Sequence, residues 1–151
     1  MKVLGLDCAT RTGFALLDDS GIIDYGKIEL NPKDPHLIRF VYFRKEIKKL
    51  VEKLCPDVVV IEDTYARNAA TAAYLNRLCG IVIGVVPKSV TILIGRVSTM
   101  RSQVVGKQSK EDVFNWAVSK YELSEFVFKK DNDITDAILL AFWGMDQCQK
   151  N

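Results

Sequence analysis

The hydrophobic and polar positions of the first thirty residues predict three consecutive strands. Apolar and β-branched residues dominate the segments at 2–8, 12–18 and 22–30. The junction at 18–21 has the sequence DDSG, and these residue types tolerate the dihedral angles of a tight turn. We therefore expect the three strands to form an antiparallel meander.

Beyond this meander the chain is predicted to alternate between helices and strands. The segment NPKDP at 31–35 breaks the third strand, because its two prolines cannot continue a ladder. Apolar residues then recur near a 3.6-residue period over 36–54, which predicts a helix with one apolar face. The residues of that face are Leu37, Phe40, Val41, Ile47, Leu50, Val51 and Leu54. The continuous run VVVI before Glu62 predicts a strand covered on both faces, as in parallel sheets.

The second half of the chain adds four predicted elements. They are an alanine-rich helix at 67–84, a strand at 89–95, and helices at 110–121 and 133–147. Ser109, followed three residues later by Asp112, is close to a capping box at the start of a helix. The order of elements favours an α/β fold with a mixed five-stranded sheet, three antiparallel strands and then two parallel ones, flanked by helices. With 151 residues and no repeat or linker, we expect a single domain over 1–151.

The composition is that of an ordinary globular protein, 48% hydrophobic and 26% charged. No apolar run approaches the roughly 18 residues that span a bilayer, and Asp7 and Arg11 interrupt the N-terminal segment, unlike a signal peptide. We therefore expect a cytoplasmic protein without membrane contact. The cysteines are Cys8, Cys55, Cys79 and Cys148. They are scattered, and His36 is the only histidine, which argues against a zinc site or a disulfide framework.

The basic residues are unevenly distributed, although the formal net charge is only +2. The segment from Lys88 to Lys110 contains no acidic residue. Since polyanion binding depends on local charge, we predict that this segment contacts phosphate groups. The segment at 39–53 is also rich in lysine and arginine, and for it a solvated helix face and a phosphate-binding surface are equally open.

Acidic residues lie where strands and a helix are predicted to meet. Asp7 ends the first strand, Glu62 ends the buried fourth strand, and Asp133 and Asp136 share the first turn of the last helix. If those two strands are parallel neighbours, Asp7 and Glu62 emerge together at the edge where open α/β sheets form their sites. Crowded carboxylates need cations, and Mg²⁺ prefers oxygen ligands. Two such ions about 3.5–4 Å apart can promote phosphodiester hydrolysis.

Three of these acids, taken singly, also have a simpler interpretation. Asp7 alone is compatible with a turn or cap residue, and Asp133 with a helix N-cap, for which Asp131 competes. Glu62 alone is compatible with a solvent-facing residue, with Asp63 beginning a turn. Together, at the ends of these elements, the acids favour a metal site, and contributions of Asp131 and Asp63 to it stay open.

Four segments carry a resemblance to a known family. They are GLDCATRTGFAL, VVVIEDTYARNAATAAYLNRLCG, SQVVGKQSKEDV and DNDITDAILLAFWG. In order and spacing they resemble the RuvC-like Holliday-junction resolvases of the RNase H-like superfamily, over nearly the whole chain. The resemblance implies an RNase H-like fold and an endonuclease of four-way or other branched DNA. It also implies that Asp7, Glu62, Asp133 and Asp136 bind two Mg²⁺ ions, which Mn²⁺ can replace.

The same resemblance implies partners and DNA contacts. Paired cuts in the family require a homodimer, whose interface includes the helix after Glu62. The small residues of that helix are Ala69, Ala70, Ala72, Ala73, Gly80 and Gly84. Tyr65 matches an aromatic residue that stacks on bases, although a structural role at a strand end is equally open. By position Arg101, Lys107 and Lys110 are the expected phosphate contacts.

Two departures limit what the resemblance implies. Many family members have Pro-Gly after the first acid, where this chain has Cys8-Ala9, and the segment from Gly106 to Lys110 is shorter than in typical bacterial members. The shorter segment leaves the sequence preference open, and the compact chain suggests a bacteriophage version acting in the bacterial host cytoplasm. Two alternatives stay open: an RNase H-like nuclease of RNA or RNA–DNA hybrid, and a non-catalytic junction-binding dimer.

Overall fold

The computed structural model describes residues 1–64 and 68–150. The elements are β1 (Val3–Asp7), β2 (Arg11–Asp18), β3 (Gly21–Glu29), α1 (His36–Leu54), β4 (Val58–Glu62), α2 (Ala69–Val85), β5 (Thr91–Gly95), α3 (Val97–Val104), α4 (Lys110–Tyr121) and α5 (Phe128–Gln149). All strands and four of the helices lie close to the segments that the hydrophobic pattern predicts. The short helix α3 is additional.

The strands form one sheet in the order β3-β2-β1-β4-β5. β1 pairs antiparallel with β2, and β2 with β3, so the predicted meander is confirmed. β1 and β4 are parallel neighbours, with Leu6 opposite Ile61, and β4 pairs parallel with β5. The predicted mixed α/β sheet, three antiparallel strands followed by two parallel ones, is therefore confirmed.

Side chains that alternate along the central strands enter two separate hydrophobic cores. Leu4 and Leu6 pack with α1 and α2 on one face of the sheet. Val3 and Ala15 pack with α4 and α5 on the other face. The strands β1 and β4 are covered on both sides, which explains why their sequences are continuously apolar.

Helix α5 approaches the sheet so closely that only glycine fits beneath it at two points. A Cβ atom on Gly5 would lie 2.1 Å from the carbonyl oxygen of Ala137. A Cβ atom on Gly13 would lie 2.0 Å from the carbonyl oxygen of Asp133. These contacts join backbone to backbone, so they fix the position of α5 relative to the ends of β1 and β2.

The start of α5 corrects a prediction. The helix begins at Phe128, so Asp133 and Asp136 lie beyond its first turn and Asp133 is not an N-cap. The backbone N–H of Val127, the residue before the helix, instead donates to Oδ2 of Asp131 at 2.9 Å. The polar run at 131–133 therefore belongs to the helix interior, although its composition is typical of a helix start.

Two features of the helices do not follow from the hydrophobic pattern. Leu37 and Val41, which fit the apolar period of α1, are 71% and 61% exposed, because the core side of this helix is formed by Phe43, Ile47 and residues further along. α3 was not predicted, since it is short and has no side-chain cap. The predicted Ser109 cap of α4 is confirmed, because its hydroxyl accepts from the N–H of Asp112 at 3.0 Å.

All four cysteines are free thiols, as expected from their scattered positions. Within the part of the chain that the structure describes, none of the helices is both long and apolar enough to cross a membrane.

Candidate active site

The four predicted acids converge at one edge of the sheet. Leu6 lies opposite Ile61 in the parallel pair, so the next residues, Asp7 and Glu62, emerge beside each other. Helix α5 crosses the same edge and adds Asp133 and Asp136, whose charges, like that of Glu62, act directly on Asp7. Three elements distant in sequence therefore bring four carboxyl groups into one cluster.

Burial and mutual repulsion disfavour ionisation within this cluster. Burial, followed by the charge of Asp136, raises the pKa of Asp7 to about 8, against an opposing effect of Lys110. The pKa of Glu62 is also raised, first by burial and then by Asp136, while Arg101 and Lys110 lower it. A divalent cation would reverse this effect, because it stabilises the ionised form of every carboxylate beside it.

The two acids on α5 are paired with basic side chains. Nζ of Lys110 lies 2.9 Å from Oδ2 of Asp136, and the guanidinium of Arg101 lies 3.6 Å from Oδ1 of the same carboxylate. Nε of Arg11, at the start of β2, donates to Oδ2 of Asp133 at 2.5 Å. These cations offset part of the negative charge that the cluster accumulates.

The chemistry of the donors fits a hard divalent cation. Oδ1 of Asp136 is buried and has no hydrogen-bond partner, so one strong acceptor is left unsatisfied inside the cluster. As the side chains stand in residues 1–64 and 68–150, no three acidic, histidine or cysteine groups are arranged to hold a metal ion. Asp133 is instead paired with Arg11, and Asp136 with Lys110.

The residues predicted to contact DNA differ from one another in their exposure to solvent. Arg101 is only 14% exposed, and its guanidinium donates to the backbone oxygen of Gln108 at 3.0 Å. It therefore faces Asp136 and the loop before α4 rather than solvent. Lys107 is 69% exposed and pairs with Asp112 at 3.4 Å. Tyr65 lies outside the described residues.

The two acids left open by the sequence have partners outside the cluster. The carboxylate of Asp63 lies 3.8 Å from Nε of Arg96. Asp131 lies 3.3 Å from Nζ of Lys27. Each therefore has an ion-pair partner outside the four central carboxylates, and the charge of Asp63 also raises the pKa of Glu62. Sequence reasoning also missed Arg11, whose only signal was its position four residues after Asp7.

The unusual Cys8 follows Asp7 directly in the chain. Cys8 and Cys79 of α2 are both buried and belong to the same hydrophobic core. The thiol of Cys79 also approaches the backbone oxygen of Glu62 at 3.8 Å. Cys8 therefore contributes an apolar contact between β1 and α2.

Comparisons with known proteins agree with this architecture. No protein-family model matches the chain. It is 25% identical over 151 residues to the crossover junction endodeoxyribonuclease RuvC of Caldicellulosiruptor saccharolyticus, covering 93% of this chain and 90% of that protein. It is 26% identical over 149 residues to the RuvC of Koribacter versatilis, with the same shares covered.

Solved structures of resolvases share the fold. The structure of Thermus thermophilus RuvC in complex with a Holliday-junction substrate has a TM-score of 0.79 at 17% identity, over 93% of this chain and 90% of that one. The fowlpox virus Holliday-junction resolvase has a TM-score of 0.64 at 14% identity, over 97% and 99% of the two chains. The predicted RNase H-like fold of the RuvC type is thereby confirmed.

Proposed function

We infer that this chain, a homologue of the RuvC crossover junction endodeoxyribonucleases, is a divalent-metal-dependent endonuclease, and we propose that it resolves Holliday junctions and other branched DNA. The observation that carries the proposal is the convergence of Asp7, Glu62, Asp133 and Asp136 at the carboxyl ends of β1 and β4. The homologues named RuvC match almost the full length of the chain. We further propose that it acts in the cytoplasm.

The four acids would hold the metal ions, for which we propose two Mg²⁺ per site, replaceable by Mn²⁺. When bound, such ions activate the attacking water and stabilise the leaving oxygen of a phosphodiester. The chain's own part is to hold the carboxylates rigidly, since β1 and β4 are buried on both faces. Lys107 and Lys110 supply positive charge toward DNA phosphates, and Tyr65 stacks on a base. Arg101 supports the loop before α4 through its hydrogen bond to Gln108.

We propose that the active form is a homodimer built on α1 and α2. Leu37, Ile38, Val41 and Tyr42 form an exposed apolar patch on the N-terminal half of α1, hereafter the α1 patch. Tyr74 of α2 packs against His36 and Phe40 in the first turns of α1, so the N-terminal parts of the two helices are in contact. Exposed apolar patches of this kind mark interaction surfaces, and small residues permit close helix approach.

Val41→Glu is expected to convert the dimer to a monomer, because a carboxylate in a buried apolar interface is strongly unfavourable. Sedimentation velocity would report the change, with the dissociation constant weakened by at least about a hundredfold, roughly 3 kcal/mol. Ile23→Glu, at an exposed position of β3 outside the α1 patch, is the matched control and should leave the dimer intact. A dimeric Val41→Glu protein would place the interface elsewhere.

Mapping the nicks on a labelled four-way junction tests the proposed activity. With Mg²⁺ we expect paired, symmetric nicks on opposite strands, and with EDTA we expect binding without nicks. An RNA–DNA hybrid duplex of matched length serves as the second substrate. Cleavage of the hybrid with no cleavage of the junction would assign the chain to the RNA-directed branch of the fold. Tight junction binding without cleavage in any divalent metal would indicate a junction-binding dimer.

A further inference from the structure

The ion pair between Lys110 and Asp136 joins two residues of very different exposure. The carboxylate of Asp136 is only 7% exposed, whereas the side chain of Lys110 is 51% exposed and reaches inward from the first position of α4. A cation at a helix N-terminus is disfavoured by the helix dipole. The position of Lys110 therefore does not stabilise α4, and the ion pair with Asp136 offsets the unfavourable interaction with the helix dipole.

Asp136 requires a positive partner in the metal-free protein. Among the neighbouring charges, that of Asp136 has the largest effect on both Asp7 and Glu62. Without a positive partner, Asp136 would therefore increase the electrostatic repulsion among these carboxylates. Arg101 lies 3.6 Å from Oδ1 but forms no hydrogen bond with it. Over residues 1–64 and 68–150, the one cation within hydrogen-bond distance of this carboxylate is therefore Lys110.

We propose that Lys110 is an exchangeable counter-ion of the metal site, a role that rests on the proposed function. In the metal-free protein its ammonium neutralises Asp136. A divalent cation that binds the acids takes over this neutralisation and leaves the ammonium free for a DNA phosphate. Metal binding and DNA binding are thereby coupled through one side chain.

The surroundings of Lys110 permit such an exchange. The start of α4 is held by Ser109, whose hydroxyl both accepts from the N–H of Asp112 and donates to its carboxylate, so the helix does not depend on the Lys110 ion pair. The preceding loop turns at Gly106, which has a positive φ of 73°. Half of the lysine side chain already lies in solvent, on the side from which a DNA phosphate would approach it.

The exchange predicts that Lys110 competes with metal. In Lys110→Gln, Mn²⁺ should bind about three- to tenfold more tightly than in the wild type, because no ammonium must be displaced. The affinity is measured without DNA, from the electron paramagnetic resonance signal of free Mn²⁺. Lys107→Gln removes the same charge from the loop just before α4, where Lys107 is paired with Asp112, so the Mn²⁺ affinity of this variant should change by less than about twofold.

Acetylation of the wild-type protein provides an independent measurement. With an N-hydroxysuccinimide acetate reagent and peptide mass spectrometry, Lys110 should react at least about threefold faster when Mg²⁺ is added. Lys107 should react at an unchanged rate. An unchanged or slower rate at Lys110, or equal Mn²⁺ affinities in wild type and Lys110→Gln, overturns the counter-ion role and leaves the nuclease proposal standing. A wild-type protein that binds no Mn²⁺ overturns both.

Discussion

Asp7→Asn is expected to abolish strand cleavage and at the same time to stabilise the metal-free protein. The pKa of Asp7 is raised to about 8 by burial and by Asp136, against a usual value of 3.8. An acid whose pKa is higher in the folded state binds its proton more tightly there, so its ionisation costs stability. The cost is absent below about pH 4, grows as the pH rises toward 8, and stays constant above that value.

Asparagine has the same shape and no charge, so it avoids this cost at every pH. In EDTA, the melting temperature of Asp7→Asn should match that of the wild type near pH 4 and exceed it by about 5 °C at pH 8, since about 1 kcal/mol shifts a domain of this size by roughly 2–4 °C. Asp19→Asn, at the exposed hairpin turn, should show no such divergence. If the difference in melting temperature between Asp7→Asn and the wild type were the same at all pH values, the raised pKa of Asp7 would be contradicted.

The same variant should bind a four-way junction with near wild-type affinity while its cleavage rate falls by at least about a thousandfold. The Asp7 carboxylate contributes to strand cleavage and not to contact with DNA phosphates. The substitution should therefore lower the cleavage rate without changing the affinity for the junction. Electrophoretic mobility shift in EDTA and single-turnover cleavage in Mg²⁺ measure the two effects. Cleavage at the wild-type rate would exclude Asp7 from the site.

The pairing of Asp7 with Glu62 could be predicted because it depends on local patterns. Two continuously apolar runs indicate buried parallel strands, and parallel neighbours place their carboxyl ends at one edge. The start of α5 could not be predicted in the same way. The polar run at 131–133 is typical of a helix start, yet Asp131 accepts a hydrogen bond from the N–H of Val127 and allows the helix to begin earlier.

The counter-ions of the site could not be predicted, because they depend on tertiary contacts. Arg11 meets Asp133 only because α5 packs across the start of β2, and Lys110 meets Asp136 only because α4 begins beside α5. The spacing of apolar residues along α1 likewise predicts a helix with an apolar face, but it does not show which other element, if any, packs against each part of that face. Leu37 and Val41 fit the apolar pattern and are nevertheless exposed, which a partner surface would explain.

Gly13→Ala is expected to destabilise the protein and to impair the site in one step. The new Cβ would lie 2.0 Å from the carbonyl oxygen and 2.3 Å from the carbonyl carbon of Asp133, and 2.9 Å from the nitrogen of Ile134. These are backbone atoms of α5, so no side-chain rotation relieves the clash and the helix must shift. We expect a loss of about 3 kcal/mol in the free energy of unfolding, measured by urea titration.

The shift should also reduce cleavage in molecules that remain folded, because Asp133 moves with the helix. At a temperature where Gly13→Ala is still folded by circular dichroism, single-turnover cleavage should fall by at least about tenfold. Gly80→Ala is the matched control for stability, since within the protomer its Cβ would meet nothing within 4 Å. Because Gly80 lies in the interior of α2, its replacement by alanine should instead increase the free energy of unfolding by about 0.5–1 kcal/mol. If Gly13→Ala had the stability of the wild type, β2 and α5 would have to be further apart than the Gly13–Asp133 contact implies. Asp133 would then also lie further from the other three acids.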